Sequence, residues 1–248
     1  MIAIELLGAS AATLALTDRS LMASSLRAVA WVGFCAVTAE LVGYLLHRLL
    51  HSERIRWLSR SHMEHHLEHY GPLRPMRPSG KYIDATTGRW SIGNVGLEWI
   101  APSGIALGSF LAAFAALRLP WGYRISFVVI TLAWSSFMFS YLHDRMHILG
   151  FWMEKNRWLK RWFTGARRLH DIHHLSLNGH GRMDRNFGIG FYFFDRLFGT
   201  FRGRQECFNR AGLEAAQHRY HSTAALKVEL SPRRNSSSTA ASAPRGVK

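Results

Sequence analysis

Cysteine is scarce in this chain: Cys35 and Cys207 are the only two in 248 residues. They lie far apart, and Cys35 sits inside an apolar stretch. That excludes a disulfide framework, a thiolate zinc site and an iron–sulfur cluster, so any metal must be held by other ligands. Acidic residues are also few, 16 against 31 Lys and Arg, which leaves a formal net charge of +15. Such an excess calls for a polyanionic partner, and the placement of the charges decides between nucleic acid and an anionic lipid surface. The sequence has no glycine-rich dinucleotide fingerprint and no His-Glu-x-x-His, so neither a nicotinamide or flavin domain nor a zinc protease is expected.

What the chain does have is long apolar runs. Residues 28–46 are interrupted only by Glu40 and span roughly 28 Å as helix, close to the ~30 Å of bilayer hydrocarbon. Residues 99–117 and 125–142 are two more such runs. They are separated by RLPWGYR, whose Pro120 and Gly122 predict a tight reversal between two helices. The first 16 residues are apolar but short and carry Glu5. They lack the basic leader and cleavage site of a signal peptide and are a candidate fourth span. Three spans place residues 47–98 and everything after 143 on one side, and those regions hold 27 of the 31 Lys and Arg residues. By the positive-inside rule that side is cytoplasmic. The basic charge then faces lipid headgroups, and no nucleic-acid-binding module is recognisable.

The expected fold is therefore all-α: an integral-membrane helical bundle of three to four spans with a cytoplasmic, histidine-rich helical cap. Its divisions are an N-terminal apolar segment 1–27, a membrane domain 28–201, a C-terminal extension 202–230 and a basic tail 231–248. The tail is poor in apolar residues and rich in Ser, Ala and Pro, which predicts disorder. Between Phe151 and Leu169, Trp158, Leu159, Trp162 and Phe163 recur at helical spacing among Lys and Arg. A helix lying in the headgroup plane is expected there, with a buried soluble helix as the alternative.

Ten of the 14 histidines fall into four clusters of two shapes, in one order repeated twice. His47 and His51 continue the first span one turn apart. His62, His65 and His66 follow at i, i+3 and i+4, with His69 at i+7. His143 and His147 then extend the third span, and His170, His173 and His174 repeat the three-histidine spacing. Each cluster shares a helix face. A lone His-x-x-x-His is usually solvated surface, whereas two matching sets at the ends of predicted spans point to metal. The ten imidazoles predict a pair of ions with about five ligands each, and imidazole suits iron, zinc, copper or nickel. His69 is either a further contact or faces headgroups. His180, His218 and His221 lack the spacing, and only His180 is kept as a candidate.

The repeat reaches into the membrane. Glu40, Tyr44, His47 and His51 have the same spacing as Ser136, Ser140, His143 and His147, which suggests internal duplication. An intramembrane carboxylate is costly without a partner, so Glu40 is expected either to orient His47 through a hydrogen bond or to snorkel to water. Glu64, Glu68, Asp144 and Asp171 lie off the shared faces and read as solvated or supporting groups.

With HRLLH (47–51), HMEHH (62–66), HDRMH (143–147), HDIHH (170–174) and DRNFGIGFYFFDRLFGTF (184–201), the chain resembles the membrane-bound fatty acid hydroxylase / sterol desaturase superfamily from about residue 28 to 201. The resemblance implies two non-haem iron ions held by His47, His51, His62, His65, His66, His143, His147, His170, His173 and His174. Tyr44 matches the family's aromatic residue beside the first ligands, Glu40 stands where the family often has Asp, and Asn186 opens its Asn-Phe-Gly motif. The implied activity is hydroxylation or desaturation of a lipid, such as a fatty acyl chain or sterol, using dioxygen. A carotenoid-ring hydroxylase of the same chemistry is the near alternative. A non-catalytic membrane metal-binding protein and a basic membrane-surface adaptor are the alternatives from other classes. Electrons would come from a separate donor, an acidic ferredoxin or small cytochrome with its reductase, drawn to the basic face. The aromatic run Phe187 to Phe201 either lines the substrate's route or anchors at the interface. Two segments exceed the family pattern: the interval before His170 and the 11 residues between His174 and Asn186.

Overall fold

The computed structural model describes residues 2–74, 76–77, 82–83, 91–92 and 95–230, with side chains described for residues 24–74, 76–77, 82–83, 96 and 98–220. The tail 231–248 lies outside the described residues. Helix α1 (Ile2–Ser52) contains the first candidate span, Ser24–Ser52. Residues 2–23 continue the same helix. They include residues 2–16 of the candidate fourth span, and their side chains lie outside the described residues. Helix α3 (Leu97–Ala116) and helix α4 (Trp121–Ser135) form the expected hairpin, and Arg118 takes a left-handed backbone between them. The chain beyond α4 continues as a π-helical segment, Ser136–Leu142, and a short α-helical end, α5 (His143–Met146). The candidate spans are Ser24–Ser52, Glu98–Ala116 and Trp121–Met146, and each is long and apolar enough to cross a bilayer. Val29, Ile105 and Val129 stay exposed on these helices, as lipid-facing side chains would. Among the described residues the regular elements are helices apart from a two-residue antiparallel pairing of β1 (Ser91–Ile92) with β2 (Val95–Gly96) and a lone antiparallel bridge between Leu177 and Met183.

Cys35, Phe114 and Phe127 pack the spans together at the end away from the histidines, where Trp31 Nε1 donates to Ser126 Oγ at 2.9 Å. Nearer the histidines, a Cβ on Gly43 would overlap the ring of Phe139, so the glycine lets α1 and the π segment touch. Helix α1 stops where Glu53 turns left-handed, and Arg219 holds its carboxylate through two bonds of 2.6 and 2.7 Å.

The cap is built from α2 (Arg56–Glu64), a π turn at His65–His69, α6 (Lys160–Leu175), α7 (Phe193–Leu197) and α8 (Arg210–Leu230). The interfacial helix expected from residue 151 onward differs from what forms. A single 3-10 turn, Trp152–Glu154, is followed by a bend in which Asn156 Oδ1 accepts the N–H groups of Trp158 and Leu159, and α6 begins only at Lys160. The apolar face is therefore split: Trp158 is 75% exposed whereas Phe163 is fully buried. Arg167 ties the bend to the cap by donating to the carbonyls of Arg145 and Ile148 and to Glu154. The long segment after His174 docks on α8 through Leu177, Met183, Leu213 and Ala216, so the C-terminal extension is part of the cap.

Candidate metal centre

The ends of α1, α5, α2 and α6 bring the ten histidines into two groups of five. His47, His51, His62, His66 and His173 form one; His65, His143, His147, His170 and His174 form the other. Within each group the ligand atoms lie within 4.8 Å of one another, so each could hold a metal ion. Both three-histidine motifs are divided between the groups. In an α-helix residue i+4 lies about 40° to one side of i and i+3 about 60° to the other, so the middle histidine of each triplet is turned about 60° from the first and about 100° from the third. His65 thus joins the later histidines and His173 the earlier ones. Nine of the ten are buried, and His143, which faces a cavity, has a side chain 13% exposed.

Four backbone carbonyls fix the orientation of four rings. His47 Nδ1 donates to Phe187 O at 2.6 Å and His173 Nδ1 to Arg185 O at 2.6 Å. In the other group His147 Nδ1 donates to Met76 O at 3.2 Å and His174 Nδ1 to Tyr70 O at 3.1 Å. A carbonyl can only accept, so these four rings carry their proton on Nδ1 and present a bare Nε2 inward. His170 Nε2 then lies 3.1 Å from the Nε2 atoms of both His147 and His174, with one proton at most among the three. In the first group His51 Nε2 lies 3.2 Å from His47 Nε2 and 2.8 Å from His62 Nε2. His65 Nε2, both nitrogens of His66 and His173 Nε2 are buried without a hydrogen-bond partner. Burying so many inward lone pairs is costly unless a cation accepts them, and an all-imidazole donor set fits a late first-row metal.

Electrostatics point the same way. Burial above all, and the neighbouring imidazoles after it, hold His62, His65, His66, His170, His173 and His174 well below the usual histidine range. Burial does the same to His147, followed by His143. These rings are neutral at physiological pH, the state in which imidazole binds metal.

The carbonyls are held by residues further out. Asn186 adopts a left-handed backbone with φ of 54°, which Asn tolerates better than most residues. Its amide donates to Leu169 O and Arg202 O while its Oδ1 accepts from Arg202 N–H. This pins the peptides carrying both Arg185 O and Phe187 O. Asp195 is fully buried and accepts from Phe187 N–H at 2.7 Å, Gly188 N–H at 2.8 Å and the Thr200 hydroxyl at 2.7 Å. Burial pushes its carboxyl up from the ordinary range, and these three donors pull it back. Thr200 shares a 3.1 Å hydrogen bond with the Tyr44 hydroxyl, so Tyr44 reaches His47 through Thr200, Asp195 and Phe187. On the other side, Arg77 pairs with Asp171 at 2.7 Å and thereby ties the loop bearing Met76 O to α6.

Glu40 departs from the role expected of it. It accepts a 2.8 Å hydrogen bond from Trp134 Nε1, while His47 takes its partner from Phe187. Seven helical residues separate Glu40 from His47, roughly 10 Å of rise, too far for direct contact. His69 belongs to neither group: the π turn carries it aside, with Nε2 3.9 Å from Glu64. His180 is exposed in the loop on α8, where its carbonyl accepts from Arg219. The orienting carbonyls of Tyr70, Met76, Arg185 and Phe187 were not legible as functional residues, because any side chain supplies a carbonyl. The one available signal was the Asn-Phe-Gly and Asp-x-x-Phe-Gly-Thr pattern that shapes two of them.

A cavity of about 570 Å³ runs from this centre between α1, α3 and α4. His47 and His62 of one group and His65 and His143 of the other line one end, with Ser61, Glu98 and Asp144. Phe110 and Phe127 line the other, inside the spans.

In comparisons with known proteins, residues 97–200 match the fatty acid hydroxylase family. No curated protein and no solved structure matches the chain. The family match begins after His66, yet the five histidines before it complete both groups. Residues 97–200 thus match a fatty acid hydroxylase domain, and the two histidine groups fit the membrane-bound fatty acid hydroxylase / sterol desaturase superfamily.

Proposed function

We propose that this protein is a membrane-bound non-haem di-iron oxygenase that hydroxylates or desaturates a lipid. The observation that carries the reading is the cavity inside the spans, which touches both histidine groups at one end. His47, His51, His62, His66 and His173 would hold one iron, and His65, His143, His147, His170 and His174 the other. Bound there, the pair would supply dioxygen activation for breaking an unactivated C–H bond, with two electrons from a separate ferredoxin or small cytochrome and its reductase.

The chain's own part is placement and exclusion. Phe187, Arg185, Tyr70 and Met76 hold four ligand rings through their carbonyls. Trp99 and Phe139 beside the histidines and Leu107, Phe110 and Phe127 further in give the cavity a mainly apolar wall, which favours an acyl chain or ring over water. The oxygenase unit would run from residue 28 to 201 with the histidines and the C-terminus cytoplasmic, a side supported by the distribution of Lys and Arg. The test is iron content together with oxygen uptake by the purified protein in the presence of reductant, donor and membrane lipid. Two irons per chain, lipid-dependent uptake and a lipid that has gained one oxygen or lost two hydrogens are expected. Bound zinc, with no uptake across lipids and reductants, would replace this reading with a metal-binding protein lacking turnover.

A further inference from the structure

Three residues in the wall of the cavity also face outward from the bundle. Ile125, Val129, Leu132 and Ser136 recur at i, i+4, i+7 and i+11 along α4 and its continuation, and all four are exposed, so they form one lipid-facing stripe. Ile125 and Val129, 59% and 61% exposed, lie outside the cavity lining, whereas Leu132 and Ser136 belong to it. On α3 the exposed Gly104 lines the cavity, while its neighbour Ile105 and Gly108 one turn on are exposed outside it. The cavity therefore reaches the lipid-facing surface between Gly104 on one helix and Leu132 and Ser136 on the other.

Aromatic contacts hold the two helices on either side of this point. Farther from the histidines Phe127 meets the rings of Phe110 and Phe114 at 5.4 and 4.8 Å, and nearer to them Trp99 meets Phe139 at 6.4 Å. Between those levels a Cβ added to Gly104 would meet nothing within 4 Å. From residue 98 to 116 only Phe114 is buried, so α3 is packed firmly at its far end alone. Pro102 lacks the N–H that would bond the Glu98 carbonyl, which makes α3 easiest to bend just beside the gap. Gly104 lies about 9 Å along the helix from Glu98, and Ser136 roughly 10 Å from His143, a depth within one leaflet's ~15 Å of hydrocarbon. Among the described residues that line the cavity none is Lys or Arg, and its carboxylates, Glu98 and Asp144, stand at the histidine end. Nothing there would receive the phosphates of a water-borne acyl thioester.

Resting on the oxygenase reading, we infer that the gap between α3 and α4 at Gly104, Leu132 and Ser136 is the substrate's entrance, through which the hydrocarbon chain of a membrane lipid passes sideways from the bilayer to the histidine groups. The substrate is then taken from the leaflet on the histidine side without crossing water. The lipid-facing surface of the spans continues unbroken into the cavity wall at this point, so an acyl chain moves from one apolar surrounding to another.

The test uses hexadecane bearing a diazirine, added to phosphatidylcholine vesicles that hold the full-length iron-loaded protein, with crosslinks mapped by mass spectrometry after brief illumination at successive times. The wild type should be labelled inside the cavity, at Val42 and Leu107, and on the outer surface, at Ile105 and Ile125. Gly104→Trp combined with Leu132→Trp should slow the inside labelling about tenfold while leaving outside labelling and iron content unchanged. Long incubation should bring the inside labelling back toward the wild type, because an entrance sets the rate of filling and not its extent. The control pair Gly108→Trp with Val129→Trp, on the same helices but outside the cavity lining, should label as the wild type does. Inside labelling as fast in the gap pair as in the wild type, equal slowing by the control pair, a loss that persists at long times, or no inside labelling of the wild type would overturn the inference. Labelling needs neither dioxygen nor reductant, so the two readings fail separately. Slowed labelling in the gap pair with no lipid oxidised by the wild type under any reductant keeps the entrance and removes the oxygenase, whereas lipid oxidation with labelling unslowed does the reverse.

Discussion

Replacing Asp195 with Asn would separate the two histidine groups in a single measurement. The Asp195 carboxylate accepts from Phe187 N–H, Gly188 N–H and the Thr200 hydroxyl, all in buried surroundings. Asn keeps the shape but replaces one oxygen by an NH₂ group. If its oxygen stays with Phe187 and Thr200, the new donor meets the donor of Gly188. One buried N–H is left unsatisfied, at a cost of about 1–3 kcal/mol in stability. The Phe187 peptide then relaxes, and its 2.6 Å contact to His47 Nδ1 loosens. Loss of such an outer partner usually weakens metal binding about 10–100-fold, equivalent to roughly 1.4–2.7 kcal/mol. The second group takes its carbonyls from Tyr70 and Met76, so it should be spared. Iron retained per chain across a chelator titration reads this directly. Asp195→Asn should release one iron at a 10–100-fold lower chelator concentration and the other where the wild type does. Simultaneous release of both, or two irons leaving as in the wild type, would show that Asp195 does not hold His47 through the Phe187 carbonyl.

Arg77→Ala is the matching perturbation of the other group. It should remove the pair with Asp171, cost about 1 kcal/mol in thermal unfolding and weaken only metal binding by the group containing His147. Loss confined to the His47 group would contradict it. Gly188→Ala should be among the harshest small substitutions, because its Cβ would overlap the Phe191 carbonyl and crowd Asp195 Oδ2 at 2.9 Å. Reduced folded yield and loss of iron from the first group are expected, and wild-type yield and iron content would contradict the packing. Glu40→Gln should preserve the bond from Trp134 and leave iron content unchanged. Glu40→Leu should destabilise the bundle by about 1–3 kcal/mol through the orphaned indole N–H, again with both irons retained. Loss of iron in Glu40→Gln would restore a direct link to His47.

The spans and the ten histidines were legible in the sequence because both rest on periodicity, which hydrophobic runs and four-residue spacings display openly. The division into two fives was not. Treating His62, His65 and His66 as one face neglects the rotation between i+3 and i+4, and that rotation sends His65 to the other group. The π turns at His65–His69 and Ser136–Leu142 also escaped, since no residue type marks them, and they shift the phase of every side chain that follows. Glu40 was misassigned for a related reason. A shared stripe gives direction but not reach, and Trp134, distant in sequence, stood closer than His47. The segment after Phe151 had a convincing amphipathic pattern, yet the Asn156 bend broke its first turn and tertiary burial claimed Phe163.

The exchange of His65 and His173 between the groups has a consequence for how the polypeptide can be divided. Neither half closes a five-ring set alone, because each lends one ring across the boundary and receives one in return. This is the geometry of an arm-swapped dimer contained in one molecule. Fragments severed between Tyr70 and Leu97 would regain a full complement only by clasping each other again, so reassembly and metal uptake would be a single event.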